Sequence, residues 1–194
     1  MIELTLKYKG SRNYIHGSDF YNAINQRLSE RLGGHLTRLA FKRFARHQCR
    51  LLLERPTDMR AMIGNGTWRT ASDDDQRFWL CETETPVTDF YPFDEAAITA
   101  AAQVDSSSIF GQGCHAYPTI ENIIVLTKQL NYWLTPDVAG KWLFGQIDLG
   151  AKLPTDWQEI RIKRFICVRN SFSRNHIHVD GADVGEIRFI VGEP

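Results

Sequence analysis

The fold is decided by residues 114–134, CHAYPTIENIIVLTKQLNYWL. A loop with glycines at Gly111 and Gly113 leads into this stretch and carries a histidine. Apolar side chains occupy most faces of the run from 118 to 134, which indicates a helix buried in a core rather than lying on a surface. Pro118 suits a first helical turn and Pro136 follows the end. We therefore predict a long central helix over residues 118–134.

The composition excludes several classes of protein. The chain has 194 residues, 43% of them hydrophobic and 24% charged, which is enough to form one domain or two small ones around a real core. Its 23 basic and 23 acidic residues leave no net charge to attract nucleic acid or an anionic membrane. It shows no signal segment, no membrane-spanning run, no CxxC pair and no nucleotide-binding motif. We expect a cytoplasmic protein that binds neither nucleic acid nor membrane and uses no metal or cofactor.

The first half predicts a strand, a helix and then more strands. Residues 2–8 alternate in the manner of a half-buried strand. Ser18 is a good N-cap for an amphipathic helix, and Gly33-Gly34 ends it. Four strand-like runs follow, at residues 36–45, 49–54, 61–70 and 77–84.

The second half repeats this order of elements after a change in amino-acid composition at residues 85–108. That segment contains prolines and an alanine-rich run, so we predict a linker ending in a short helix and three parts: a unit over 1–90, a linker over 91–108 and a unit over 109–194. Four more strands are predicted after the central helix, at residues 141–149, 157–172, 174–180 and 185–191. Asp180-Gly181 suits a tight hairpin turn.

The halves align when 100 is added to the numbers of the first, which brings Asp19 onto Thr119 and Asn22 onto Asn122. In each half a histidine-bearing loop leads into a long helix and then into about four strands. Such a helix is buried only if the antiparallel sheet wraps around it.

These features resemble the hotdog fold, and the second half is similar to the FabZ/FabA dehydratases of 3-hydroxyacyl-thioesters. The resemblance is carried by three short motifs in the family's order, His115-Ala116-Tyr117-Pro118, Gly145-Gln146-Ile147-Asp148 and Val179-Asp180-Gly181. It covers residues 110–192. The fold class that it implies is α+β: a double hotdog, with two long central helices each wrapped by a curled antiparallel sheet.

The resemblance also implies an acyl-thioester substrate, carried by coenzyme A or an acyl carrier protein, in fatty acid or polyketide metabolism. His115 takes the place of the family's catalytic histidine and would act as the base. The family's acidic residue on the central helix is missing, because Thr127 or Gln129 stands there. Asp19, at the start of the first helix, is the substitute that we expect.

Two alternatives remain open. Thioesterases of this fold use a lone carboxylate near a helix start, so Asp19 or Glu121, with His16 nearby, would serve hydrolysis. A non-catalytic acyl-binding or partner-binding protein would explain the missing acid. In the catalytic cases we expect the starts of both helices to contact the substrate, through Tyr117, Pro118, Thr119 and Asn22. A homodimer of double hotdogs is a further expectation.

His176 and His178 have the spacing of a metal-binding pair on one strand. No third ligand follows at a suitable distance. We therefore interpret them as polar residues on a strand face.

Overall fold

The computed structural model describes residues 1–113 and 116–193. The chain forms two compact units, Met1–Phe93 and Asp94–Pro194. Cys114 and His115 lie outside the described residues, so the predicted base His115 stays a prediction from sequence. In the described ranges no helix combines the length and the apolar character that crossing a bilayer requires.

The first unit consists of one long helix and an antiparallel sheet. Its elements are β1 (Ile2–Leu4), β2 (Tyr8–Lys9), α1 (Gly17–Leu32), β3 (His35–Phe41), β4 (His47–Leu52), β5 (Met62–Arg69), β6 (Asp75–Pro86) and β7 (Phe90–Tyr91). Within this unit the strands follow the order β1-β4-β6-β5-β3, and β2 and β7 form a separate parallel pair. The four strand runs predicted after the helix correspond to β3–β6.

Helix α1 buries one face and is fixed at both ends. Phe20, Ile24 and Leu28 lie in the core at helical spacing. At the C-terminal end Gly33 has a positive φ of 60°, and its carbonyl accepts a hydrogen bond of 2.6 Å from the Trp68 indole. The predicted stop at Gly33 is therefore confirmed.

The predicted N-cap at Ser18 is wrong. The helix begins at Gly17, and the N-cap residue is His16, whose backbone is extended and whose ring nitrogen accepts from the Ser18 N–H. Ser18 is instead inside the first turn and fully buried. A histidine ring supplied the acceptor that the cap position requires, which residue preferences alone do not indicate.

The second unit has the same kind of construction. Its elements are α2 (Glu95–Thr99), β8 (Gln103–Val104), β9 (Ser108–Gln112), α3 (Thr119–Leu134), β10 (Lys141–Leu149), β11 (Glu159–Val168), β12 (Phe172–Val179) and β13 (Ala182–Gly192). The strand order within this unit is β10-β13-β12-β11-β9-β8, antiparallel throughout. The segment expected as a linker thus holds α2, as the predicted short helix, and also β8.

The predicted central helix is confirmed to within one residue as α3. Its buried side chains include Ile120, Ile123, Ile124 and Leu130. The helix contacts β10, the first strand in this unit's order, and β9, the fifth, so the strands of this unit curve around it. The hairpin between β12 and β13 turns at Asp180 and Gly181, whose φ values of 50° and 81° suit the predicted two-residue turn.

Candidate functional site

The start of α1 carries a carboxylate that a pair of short strands surrounds with donors. Strands β2 and β7 are parallel, and Lys9 is the register partner of Tyr91. Both side chains reach Asp19, which occupies the third position of the helix. The Tyr91 hydroxyl donates a hydrogen bond of 2.6 Å to Asp19 Oδ1, and Lys9 Nζ lies 3.5 Å from the same oxygen.

Lys9 is fully buried, which is rare for a lysine. Its ammonium donates a hydrogen bond of 2.6 Å to the Ser18 hydroxyl and lies 4.3 Å from the centroid of the Phe93 ring. A cation over an aromatic face is stabilised by the ring quadrupole. The Asp19 carboxylate, the Ser18 hydroxyl and the aromatic rings together compensate the buried charge.

Asp19 is held between opposing influences. Burial raises the pKa of Asp19, while the charge of Lys9 and the hydrogen bond from Tyr91 act against that rise. Its second oxygen, Oδ2, is inaccessible to water and has no hydrogen-bond partner among the described residues. A buried carboxylate oxygen without a donor is costly in a folded protein, and such groups are concentrated at functional sites.

A short hydrogen-bonded chain connects Lys9 with His16. Lys9 Nζ donates to Ser18 Oγ, and the same hydroxyl lies 2.8 Å from His16 Nδ1. An ammonium has no acceptor, so the serine hydroxyl directs its own proton towards Nδ1. A neutral His16 then carries its proton on Nε2. His16 and Asp19 thereby lie in one cluster at the first turn of α1.

The start of α3 places an acid at the equivalent position. The helices have the same length, so aligning Gly17 with Thr119 pairs Asp19 with Glu121, and Glu121 is buried. This alignment differs from the predicted one, which paired Asp19 with Thr119. Helix bounds fix the register, whereas the sequence match was too sparse to do so.

The predicted substrate-contacting residues of the second unit have structural partners. The Tyr117 hydroxyl accepts from the Asp94 N–H at 3.2 Å, Pro118 is the N-cap residue, and the Thr119 hydroxyl donates to the Pro154 carbonyl. Asn122 donates to the backbone carbonyls of Tyr117 and Pro118. These bonds order the loop-to-helix junction.

Several predicted residues lie away from the cluster. Asn22 is half-buried on α1, one helical turn after Asp19. Thr127 is buried and donates to the Ile123 carbonyl of its own helix, and Gln129 is exposed. In the part of the chain that is described, no three His, Cys, Asp or Glu side chains are grouped as metal ligands would be.

Lys9 and Tyr91 were missed by the sequence interpretation. Lys9 lies in a segment that reads as a polar loop after β1, and Tyr91 lies in the segment that reads as a linker. The only signal for either residue is its place in a two-residue strand, which is too short to give a periodic pattern.

Comparison with known proteins identifies the fold. No family model and no curated protein matches the sequence. Among solved structures, a provisionally assigned thioesterase from Novosphingobium aromaticivorans is similar, with 11% identity and a TM-score of 0.52 over 98% of this chain and 93% of that chain. The pyran synthase domain from module nine of the sorangicin pathway has 9% identity and a TM-score of 0.49 over 95% and 90% of the two chains. The dehydratase domain of PpsC from Mycobacterium tuberculosis, solved with C12:1-CoA, has 7% identity and a TM-score of 0.48 over 92% and 85%.

The first of these likenesses carries the fold assignment. The chain has an α+β hotdog fold, and the predicted resemblance is confirmed at the level of the fold.

Proposed function

We propose that this protein is a double hotdog that hydrolyses acyl-thioesters, with Asp19 as the catalytic base. The observation that carries the proposal is the buried Oδ2 of Asp19, which lacks a donor among the described residues and lies at the start of a long helix. The hotdog fold supplies the substrate class, because acyl-thioesters are what its enzymes commonly process. Either coenzyme A or an acyl carrier protein would be the thiol.

The chemistry follows from the two carboxylate oxygens of Asp19. Tyr91 and Lys9 hold Oδ1, which leaves Oδ2 to accept a proton from an attacking water. Oδ2 is buried in this structure, so that water would have to enter together with the substrate. The water oxygen adds to the thioester carbonyl carbon, the carbon–sulfur bond breaks, and the departing thiolate takes up a proton to give a free thiol and a carboxylic acid. A pKa that burial has raised makes the ionised Asp19 a stronger base than an ordinary aspartate.

The helix start supports the same step. The N–H groups of Ser18, Asp19 and Phe20 already donate to His16. The partial positive charge of the helix start, rather than a free N–H, would therefore stabilise the oxyanion that forms on the thioester carbonyl. Lys9 is a positioning residue here, because it contacts Asp19 and Ser18 rather than the reacting atoms.

The test is thiol release from acyl-CoA substrates of graded chain length. Asp19→Asn should lower kcat by at least about 100-fold, because positioned proton transfer contributes that much or more. Glu30→Gln is the matched control, since it removes an exposed carboxylate from the same helix and should leave kcat unchanged. An Asp19→Asn protein that keeps the wild-type rate would eliminate Asp19 as the base.

A second candidate function is the dehydratase reaction, with His115 as base and Asp19 as acid. The raised pKa of Asp19 favours it, because a protonated carboxyl is what assists a leaving hydroxide. A 3-hydroxyacyl-CoA would then yield an enoyl-CoA without thiol release, and His115→Ala would abolish that conversion. If no acyl-thioester is bound or converted, both proposals fail and a non-catalytic partner-binding protein is the better description.

A further inference from the structure

The sheet of the second unit has an outer face on which two arginines stand side by side. Arg174 on β12 and Arg188 on β13 are register partners, and both are exposed. Asn175, the next residue on β12, is fully buried, so Arg174 points away from the core. Like charges placed directly opposite each other weaken a sheet.

Only one of the two arginines has an acidic partner in the described ranges. Glu186 pairs with Arg174. Arg188 instead lies over the Phe172 ring, with 4.5 Å between its guanidinium carbon and the ring centroid, and Arg174 lies 5.3 Å from the centroid of Phe165. The rings hold both guanidinium groups against the sheet. Arg174 shares its donors with Glu186, whereas the donors of Arg188 are available to a ligand.

An apolar patch adjoins the arginine pair. Ile166 is the register partner of Arg174, and Val168 and Ile190 are both register partners of Phe172. The three aliphatic side chains are 38–47% exposed, which is high for their type. Adjoining exposed apolar residues mark interaction sites, and arginine with aromatic residues dominates the energetics of protein interfaces.

We propose that this face of β11–β13 binds an acidic, amphipathic segment of a partner protein. Carboxylates of the partner would pair with Arg174 and Arg188, and its aliphatic side chains would cover Val168 and Ile190. The cation excess on the face sets the sign of the partner's charge. This inference is independent of the thioesterase proposal.

Two other occupants fit the face less well. A nucleic acid needs ring faces for base stacking, whereas arginines lie over Phe165 and Phe172, and His176 is stacked on Phe165 at 4.1 Å between centroids. A second copy of the chain would bring the same cationic face against this one in a symmetric dimer, and the two would repel.

The probe is a labelled helical peptide of about 20 residues with glutamates and leucines on one face, a recognition mode that uses an amphipathic helix. Fluorescence anisotropy at low salt measures its Kd. Arg174→Glu/Arg188→Glu should weaken binding by about tenfold or more, since reversing charges that contact a ligand turns attraction into repulsion. The control is Arg55→Glu/Arg77→Glu, which makes the same change in net charge at exposed sites of the first unit and should leave Kd unchanged.

The single variant Arg188→Glu separates binding from folding. It places an acid opposite Arg174, so its Tm should rise while its affinity for the peptide falls. A purely structural role for Arg188 predicts a lower Tm instead. Equal losses in the two double variants, preference for a single-stranded RNA over the peptide, or self-association that Arg188→Glu disrupts would each overturn the proposal.

Discussion

The buried pair Lys9–Asp19 makes a prediction about folding energy that requires no substrate. Lys9→Met removes the ammonium and keeps an unbranched side chain, while Asp19→Asn removes the carboxylate charge and keeps the shape. Each single change leaves one charge of the pair without its counter-charge. Lys9 is fully buried and the Asp19 side chain is 11% exposed, so solvent screens neither charge well.

The expected magnitude follows from the separation of the two groups. At 3.5 Å and an effective dielectric constant of about 20, two unit charges attract by about 5 kcal/mol. Removing one member of a buried pair costs about 3–5 kcal/mol, whereas replacing both by neutral groups is often tolerated. In a double-mutant cycle we therefore expect a coupling energy of about 2–4 kcal/mol between Lys9 and Asp19.

Urea unfolding of the wild type, both single variants and the double variant at neutral pH measures this coupling. Because the folded-state pKa of Asp19 is raised, its contribution to stability is complete below about pH 4 and is lost as the pH rises through the folded-state value. Lys9→Met removes the positive charge that lowers the pKa of Asp19, so this pKa should rise further and the loss of stability should extend to higher pH. Asp19→Asn should abolish this pH dependence. A coupling energy below about 1 kcal/mol, the value typical of exposed pairs, would refute the energetic connection of the two residues.

Three further outcomes are expected. Tyr91→Phe removes the 2.6 Å hydrogen bond to Asp19, so the free energy of unfolding should fall by about 1–2 kcal/mol. The same hydrogen bond lowers the pKa of Asp19, so the acid limb of the pH profile of thiol release should move to higher pH. An unchanged acid limb would show that Tyr91 does not affect the reaction. Burial raises the pKa of Glu82, but hydrogen bonds from the Arg46 and His47 N–H groups and from the Arg43 guanidinium outweigh burial, so the pKa is lowered. The stability that ionised Glu82 contributes should therefore be lost as the pH falls through its folded-state pKa. Glu82→Gln should remove that part of the acid unfolding curve. Gly66→Ala would bring a Cβ to 2.2 Å from a carbonyl oxygen of the neighbouring strand and should cost about 1–3 kcal/mol in thermal unfolding, whereas Gly150→Ala, with nothing within 4 Å, should be near neutral.

The elements with strong periodicity were predictable from the sequence. Helix α3 could be placed to within one residue because a long apolar run, an initial proline and a later proline agree. Strand β10 was placed correctly at both ends, although an irregularity between Phe144 and Gln146 interrupts its alternation. The short strands β7 and β8 could not, since two residues carry no period. The N-cap of α1 was placed at Ser18, two residues late, because the observed cap is the His16 ring.

The candidate site was predictable only in part, and the reason is the distance along the chain between its members. His16 and Asp19 were found because they lie at the start of one helix. Tyr91 lies 72 positions from Asp19 and meets it only through the pairing of β2 with β7. Nothing in the local sequence of Lys9 distinguishes a fully buried ammonium from an exposed one, because its partners come from α1 and from the end of the unit.

The two units differ in what surrounds the acid at the start of the long helix. Both long helices carry an acid at the third position, the largely buried Asp19 in one and the buried Glu121 in the other, so that position is common to the two units. The donors around Asp19 are not common to the two units. They come from the parallel pair β2–β7, and the strand pairs described in the second unit are all antiparallel. The repeated elements therefore place a carboxylate at a helix start, and an unrepeated pair of two-residue strands gives one of those carboxylates a buried lysine and a tyrosine hydroxyl.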